Sequence, residues 1–195
     1  MHRFPRLHEA LDYAADAHNG QLRKGTDIPY LGHLLGVCSL VLDYGGDEDQ
    51  AIAGLLHDVV EDCGEHHLTV IAERFGPRVA SIVEACTDGA ADASGVKAPW
   101  KQRKEAHLAH LSEAPANTIL VAACDKLHNC RSVVADLRTI GPAVFQRFKA
   151  GRDGTLWYYQ SLQEIISQRL GPGHPIVAEL TAAVALMSEA PASAA

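Results

Sequence analysis

The chain has 195 residues, 47% of them hydrophobic and 21% charged, with a formal net charge of −7 and a pI near 5.8. This length suits one substantial hydrophobic core and does not call for a second domain. The acidic balance excludes a general nucleic-acid surface, because phosphate backbones select basic faces, and without an apolar run of about 18 residues no membrane-spanning helix is expected.

Ala and Leu dominate and aromatics are scarce, which favours helix throughout. The five cysteines, Cys38, Cys63, Cys86, Cys124 and Cys130, show no CxxC spacing. They fit reduced thiols better than disulfides or structural zinc, and Cys63 reads as a small buried hydrophobe or a ligand. Met1-His2-Arg3-Phe4-Pro5 carries no apolar signal-peptide core, so a cytoplasmic protein is expected.

In chain order, residues 5–18 set Leu7, Leu11, Ala14 and Ala17 at helical spacing. Gly20-Gln21-Leu22-Arg23-Lys24-Gly25 follows as a glycine-bounded loop with two adjacent cations at its tip. Those cations are either exposed loop charges or a clamp for an anionic or planar ligand, since a guanidinium both stacks on a base and forks onto phosphate. A second helix follows Ile28-Pro29-Tyr30 and carries His33 among Leu34, Leu35, Val37, Leu40 and Val41. By itself such a His reads as a hydrogen-bonded core residue. After the turn Tyr44-Gly45-Gly46, Asp47 caps the next helix.

That helix carries the most informative stretch, Gly54-Leu55-Leu56-His57-Asp58-Val59-Val60-Glu61-Asp62. Projected on one continuous helix with His57 at zero, Glu61 falls at about 40°, Asp58 at about 100° and Asp62 at about 140°. Leu55, Leu56, Val59 and Val60 occupy the opposite arc. Three carboxylates so close repel each other unless something compensates. The face is either solvated or a cation site. The apolar run from Ala51 to Leu56 points to a buried helix, and a buried acidic face needs a counter-charge, of which a divalent metal is the simplest.

Beyond Cys63-Gly64, helices over 68–75 and 77–86 flank Gly76-Pro77, and a small, polar loop follows from Thr87 to Gly95. Val96–Lys104 is the most basic segment, with Lys97, Lys101, Arg103 and Lys104 around Trp100, and it opens a helix reaching about Ser112. It is either a solvated face or a phosphate-steering patch on an otherwise acidic protein. Residues 116–136 change from the buried run Thr118–Cys124 to the polar Asp125-Lys126-Leu127-His128-Asn129. Asp125 and Asn129 share a face there, and Asp125 is a candidate ligand. Helices over 142–149, 154–170 and 174–188 complete the chain. Leu156-Trp157-Tyr158-Tyr159 reads as core, with one Tyr hydroxyl available to a cleft. The expectation is an all-α single domain over residues 1–190 and a disordered tail over 191–195.

The ordered set His33, His57-Asp58 and Asp125 resembles the H…HD…D signature of the HD-domain metal-dependent phosphohydrolases. More narrowly, His18-Asn19-Gly20-Gln21-Leu22-Arg23-Lys24-Gly25 with Pro29-Tyr30 and His33, then Leu55–Asp62, then Asp125–Asn129 resemble three motifs of the RelA/SpoT-type hydrolase domain. Trp100 with Arg103-Lys104 is similar to the small stand-alone members, and the resemblance runs over residues 5–165, implying no attached synthetase or regulatory domain. It implies an all-α HD-type helical bundle holding one Mn²⁺, with Fe²⁺, Zn²⁺ or Co²⁺ as alternatives, on His33, His57, Asp58 and Asp125. Glu61 and Asp62 would activate or orient the attacking water. Arg23 and Lys24 would contact the purine or its phosphates, Asn129 would line the nucleoside pocket, and the basic segment would add Lys97, Lys101, Arg103 and Lys104.

The implied reaction removes pyrophosphate from the 3′ position of alarmones such as ppGpp, leaving GDP or GTP. The implied partner is a small nucleotide, with no nucleic acid, no membrane and no indicated oligomer. Leu34 stands where the family has Pro, Cys86-Thr87 replaces Leu-Thr, and Arg131-Ser132 replaces Arg-Thr. None of these removes a ligand, but they leave guanine, adenine or an NADPH-like nucleotide open. The alternatives are an HD phosphohydrolase on another nucleotide, such as a 5′-nucleotidase or an NADPH phosphatase, and a non-catalytic nucleotide sensor.

Overall fold

In the computed structural model, which describes residues 4–87 and 98–189, the hydrophobic spacing becomes a set of packed helices. They are α1 (Leu7–Ala17), α2 (Leu31–Asp43), α3 (Glu48–Leu56), α4 (Val59–Cys63), α5 (His67–Phe75), α6 (Pro77–Cys86), α7 (Trp100–Glu113), α8 (Ala116–Ile140), α9 (Gly151–Leu170) and α10 (Pro175–Glu189). A 3-10 helix at Gly141–Arg147 takes the place of the helix expected over 142–149. Among the described residues the sole strand-like pairing is one isolated bridge, Leu22 to Pro29, so the fold is all-α. No helix of the described residues is long and apolar enough to cross a membrane. Lys97, most of the expected 87–95 loop and the tail at 191–195 lie outside the described residues.

Two helices organise the core. Helix α3 begins at a reciprocal capping box, in which Asp47 accepts from the Gln50 backbone N–H and Gln50 accepts from the Asp47 backbone N–H, both at 3.0 Å. From Gln50 to Leu56 every residue of α3 is buried, packed among α1, α2, α6 and α8. Gly54 permits the close approach of α2, because a Cβ there would lie 3.3 Å from Val41 and 3.4 Å from Cys38. Helix α8, about 37 Å long at 1.5 Å per residue, is the second organiser and packs on α2, α3, α6, α9 and α10. Gln50 Nε2 donates to the Asn117 carbonyl at 3.0 Å and fixes α3 against the start of α8.

One element differs from the expectation. The stretch Gly54–Asp62 is not a continuous helix: α3 ends at Leu56, His57 and Asp58 form a turn, and α4 starts at Val59. At this break the His57 Nδ1–H donates to the Gly54 carbonyl at 2.9 Å. A side chain that competes for a backbone acceptor weakens the helical ladder locally. Asp58 sits at φ −99°, ψ −5°. Both turn residues keep right-handed helical dihedrals, so the helical-wheel angles for Asp58, Glu61 and Asp62 are displaced by the turn rather than reversed.

Candidate metal centre and cleft

Four side chains meet where α2, the α3–α4 turn and α8 converge. His33 comes from the first turn of α2, His57 and Asp58 from the turn, and Asp125 from the middle of α8. His57 Nε2 lies 3.0 Å from Asp58 Oδ2 and 3.5 Å from Asp125 Oδ1. His33 Nε2 lies 3.3 Å from Asp125 Oδ1 and 3.6 Å from Asp58 Oδ2. Both imidazoles are almost fully buried, and neither Nε2 has a hydrogen-bond partner among the described residues. The Asp58 side chain is 20% exposed and gives the cluster its opening to solvent.

Two buried, unpartnered imidazole nitrogens facing two carboxylate oxygens fit a divalent cation, and the ligand atoms of His33, His57 and Asp58 all lie within 4.8 Å of one another. The electrostatics point the same way. Burial would lower the His57 pKa, yet Asp58 and Asp125 outweigh it and hold it well above its ordinary value. Burial would raise both carboxyls, yet His57 and His33 pull Asp58 well below its usual range, and Lys126 and His57 do the same to Asp125. The cluster calls for positive charge at its centre.

Each of the four is held from behind. His57 uses Nδ1 on the Gly54 carbonyl, and His33 Nδ1 faces His128 Nδ1 at 2.9 Å. The Tyr30 hydroxyl donates to Asp58 Oδ2 at 2.5 Å, and burial next to Asp58 raises the phenol pKa so that it stays a donor. Lys126 donates to Asp125 Oδ2 at 2.5 Å, and Asn129 Nδ2 donates to Asp125 Oδ1 at 2.6 Å. Burial, then His33 and Arg23, push the His128 pKa down to about 4, which leaves that ring neutral.

One helical turn beyond the cluster, Glu61 and Asp62 line a cleft of about 540 Å³. Lys24, Arg103, Lys104 and Lys149 line it too, together with Trp100, Phe148, Tyr158 and Tyr159. Asp62 is steadied from the glycine-bounded loop: Gln21 Nε2 donates to its Oδ2 at 2.8 Å, and His18 Nδ1 donates to Gln21 Oε1 at 2.7 Å. Arg23 takes another course. Its Nη2 donates to Asn129 Oδ1 at 3.0 Å and its Nη1 sits 3.4 Å from His128 Nδ1, so the loop is tied to α8 beside Asp125. Lys101 stands apart from the cleft lining, over the Trp157 ring and paired with Glu105.

The structure thus gathers His33, His57, Asp58 and Asp125 in one place, and Lys24, Glu61, Asp62, Arg103 and Lys104 in another nearby. Tyr30, His128, Lys126 and Gln21 carry contacts that the sequence did not single out, although each lies within a motif stretch. Lys149 lies in none, and no sequence signal marked it.

A family model for the HD domain matches residues 10–156 of the chain. The guanosine-3′,5′-bis(diphosphate) 3′-pyrophosphohydrolase MESH1 of Xenopus tropicalis is 36% identical over 128 residues, covering 64% of this chain and 68% of that protein. A probable guanosine-3′,5′-bis(diphosphate) 3′-pyrophosphohydrolase of Synechocystis is 33% identical over 126 residues, but the chain spans just 16% of that longer protein. Among solved structures, a metazoan ortholog of SpoT that hydrolyses ppGpp superposes with a TM-score of 0.73 over 94% of this chain and 96% of its own. At 24% identity that likeness speaks for the fold.

Proposed function

The chain belongs to the HD-domain family, and from that membership we propose that it is a metal-dependent hydrolase removing the 3′-pyrophosphate of ppGpp-like alarmones. The observation that carries this reading is the pair of buried, unpartnered Nε2 atoms of His33 and His57 between the carboxylates of Asp58 and Asp125. The name and activity of the MESH1 relative add the substrate.

In this reading His33, His57, Asp58 and Asp125 hold the cation. The mixed imidazole and carboxylate donors suit Mn²⁺ and also accommodate Fe²⁺, Zn²⁺ or Co²⁺. When bound, such an ion lowers the pKa of water and offsets charge on phosphoryl oxygens. Asp125 offers Oδ1, since its Oδ2 is taken by Lys126. Glu61 accepts the proton of the attacking water, and Asp62, fixed by Gln21, orients that water. Lys24, Arg103 and Lys104 hold the phosphates in the cleft, with Lys149 beside them. Arg23 and Asn129 face the nucleoside. The five thiols form no disulfide, which supports action in the cytoplasm.

The test is to incubate the Mn²⁺-loaded protein with ppGpp, ppApp and NADPH and identify the phosphorus-containing product. Pyrophosphate released from ppGpp or ppApp is the expected outcome. Orthophosphate from NADPH alone transfers the activity to a different substrate, and tight nucleotide binding without any turnover makes the protein a sensor.

A further inference from the structure

We propose that His128 is a positioning residue that sets the ring of His33 and gives the Arg23 loop its anchor on the same nitrogen. This rests on the reading that His33 holds a cation. His33 turns Nε2 toward the carboxylates, which leaves Nδ1–H to be satisfied, and the atom it meets is His128 Nδ1 at 2.9 Å, with ring centroids 4.8 Å apart. His57 solves the same problem with a backbone carbonyl. For His33 the acceptor is a side chain reaching across from another helix.

The chemistry of the neighbours assigns the role of that nitrogen. Both groups facing His128 Nδ1, the His33 Nδ1–H and the Arg23 guanidinium at 3.4 Å, are donors. The nitrogen between them carries the lone pair. The ring is also seated sterically. Gly36 lies one turn beyond His33 on α2, and a Cβ there would collide with the His128 imidazole. On α8, His128 lies three residues past Asp125, and the Ser132 hydroxyl donates to its carbonyl at 3.0 Å. One helix therefore sets two of the four ligands, Asp125 directly and His33 through His128. The loop carrying Arg23 rests on that same point.

Groups that hold the far side of a metal-bound imidazole are worth about 10–100-fold in metal affinity. Mn²⁺ binding to purified protein, read as free Mn²⁺ by electron paramagnetic resonance, tests the role separately from turnover. His128→Phe keeps the ring but removes the acceptor; His128→Asn keeps an acceptor at the δ position with less bulk; Gly36→Ala crowds the ring and changes no polar group. The expected result is a loss of Mn²⁺ affinity of about 10–100-fold in His128→Phe, a clear loss in Gly36→Ala, and His128→Asn within about threefold of the parent. Melting temperatures in excess chelator serve as the folding control: His128→Asn and His128→Phe should differ far more in Mn²⁺ affinity than in metal-free stability, which a merely structural role would not give. Parent-like Mn²⁺ affinity in both His128→Phe and Gly36→Ala overturns the proposal, as does an equal loss in His128→Asn and His128→Phe. A parent protein that binds no Mn²⁺ removes the metal reading and this inference together, whereas the first two outcomes remove the inference and leave that reading standing.

Discussion

Asp125 divides its two oxygens between tasks: Oδ2 is neutralised by Lys126, and Oδ1 faces both imidazoles while accepting from Asn129. Asp125→Ala should therefore lose Mn²⁺ and activity together, as read by metal analysis and kinetics. Glu61→Ala should keep the metal and lower kcat by about 10²–10⁴-fold, the usual contribution of a positioned proton acceptor; a fully active variant removes that role. Arg23→Ala gives up hydrogen bonds and a cationic surface without touching the cluster. It should raise KM about 10-fold or more with kcat unchanged. At this scale His33, His57, Asp58 and Asp125 were legible because each sits in a recognisable motif. His128 and Tyr30 were not, although the motifs contain them, because a ring's role depends on which atom its nitrogen or hydroxyl meets. That atom belongs to a residue 95 positions away for His128 and 28 for Tyr30.

Helix boundaries were legible wherever caps or Gly-Pro punctuation mark them. Asp47 before α3 and Gly76-Pro77 between α5 and α6 are examples. The break at His57-Asp58 was not, since neither Gly nor Pro stands there. A side chain bonded to its own helix's carbonyl accompanies the end of α3, and periodicity carries no trace of such a bond. The cap offers a clean test. Asp47→Ala should cost about 1 kcal/mol and lower the melting temperature by about 2–4 °C in a chain of this size. The Arg78 contact adds little, because the Asp47 side chain is 52% exposed. Hydrogen bonding from Arg78, partly opposed by burial, holds the Asp47 carboxyl below its ordinary value of 3.8. Its contribution is therefore complete above about pH 5 and is lost as the pH falls below 4 and passes the lowered folded value. The gap between parent and variant should accordingly close in acid melts; a gap that stays constant would assign the cost to something other than the carboxylate.

Across the whole molecule, α2, the α3–α4 turn and α8 each contribute to a single cluster, so an ion held there would be linked to folding. A saturating ion at a hundredfold its dissociation constant adds about 2.7 kcal/mol, or about 5–10 °C in melting temperature for a chain of this length. Mn²⁺ should produce that shift in the parent protein and none in Asp125→Ala, with calorimetry in chelator as the baseline. The dispersal of the cluster along the chain has a consequence for the moment of synthesis. Asp125 is polymerised 92 residues after His33; at about 5–20 residues per second that is a delay of about 5–18 s. Until α8 has left the ribosome, a growing polypeptide holds three of the four clustered side chains and lacks the helix that brings the fourth, so the proposed cation site stays incomplete through that interval.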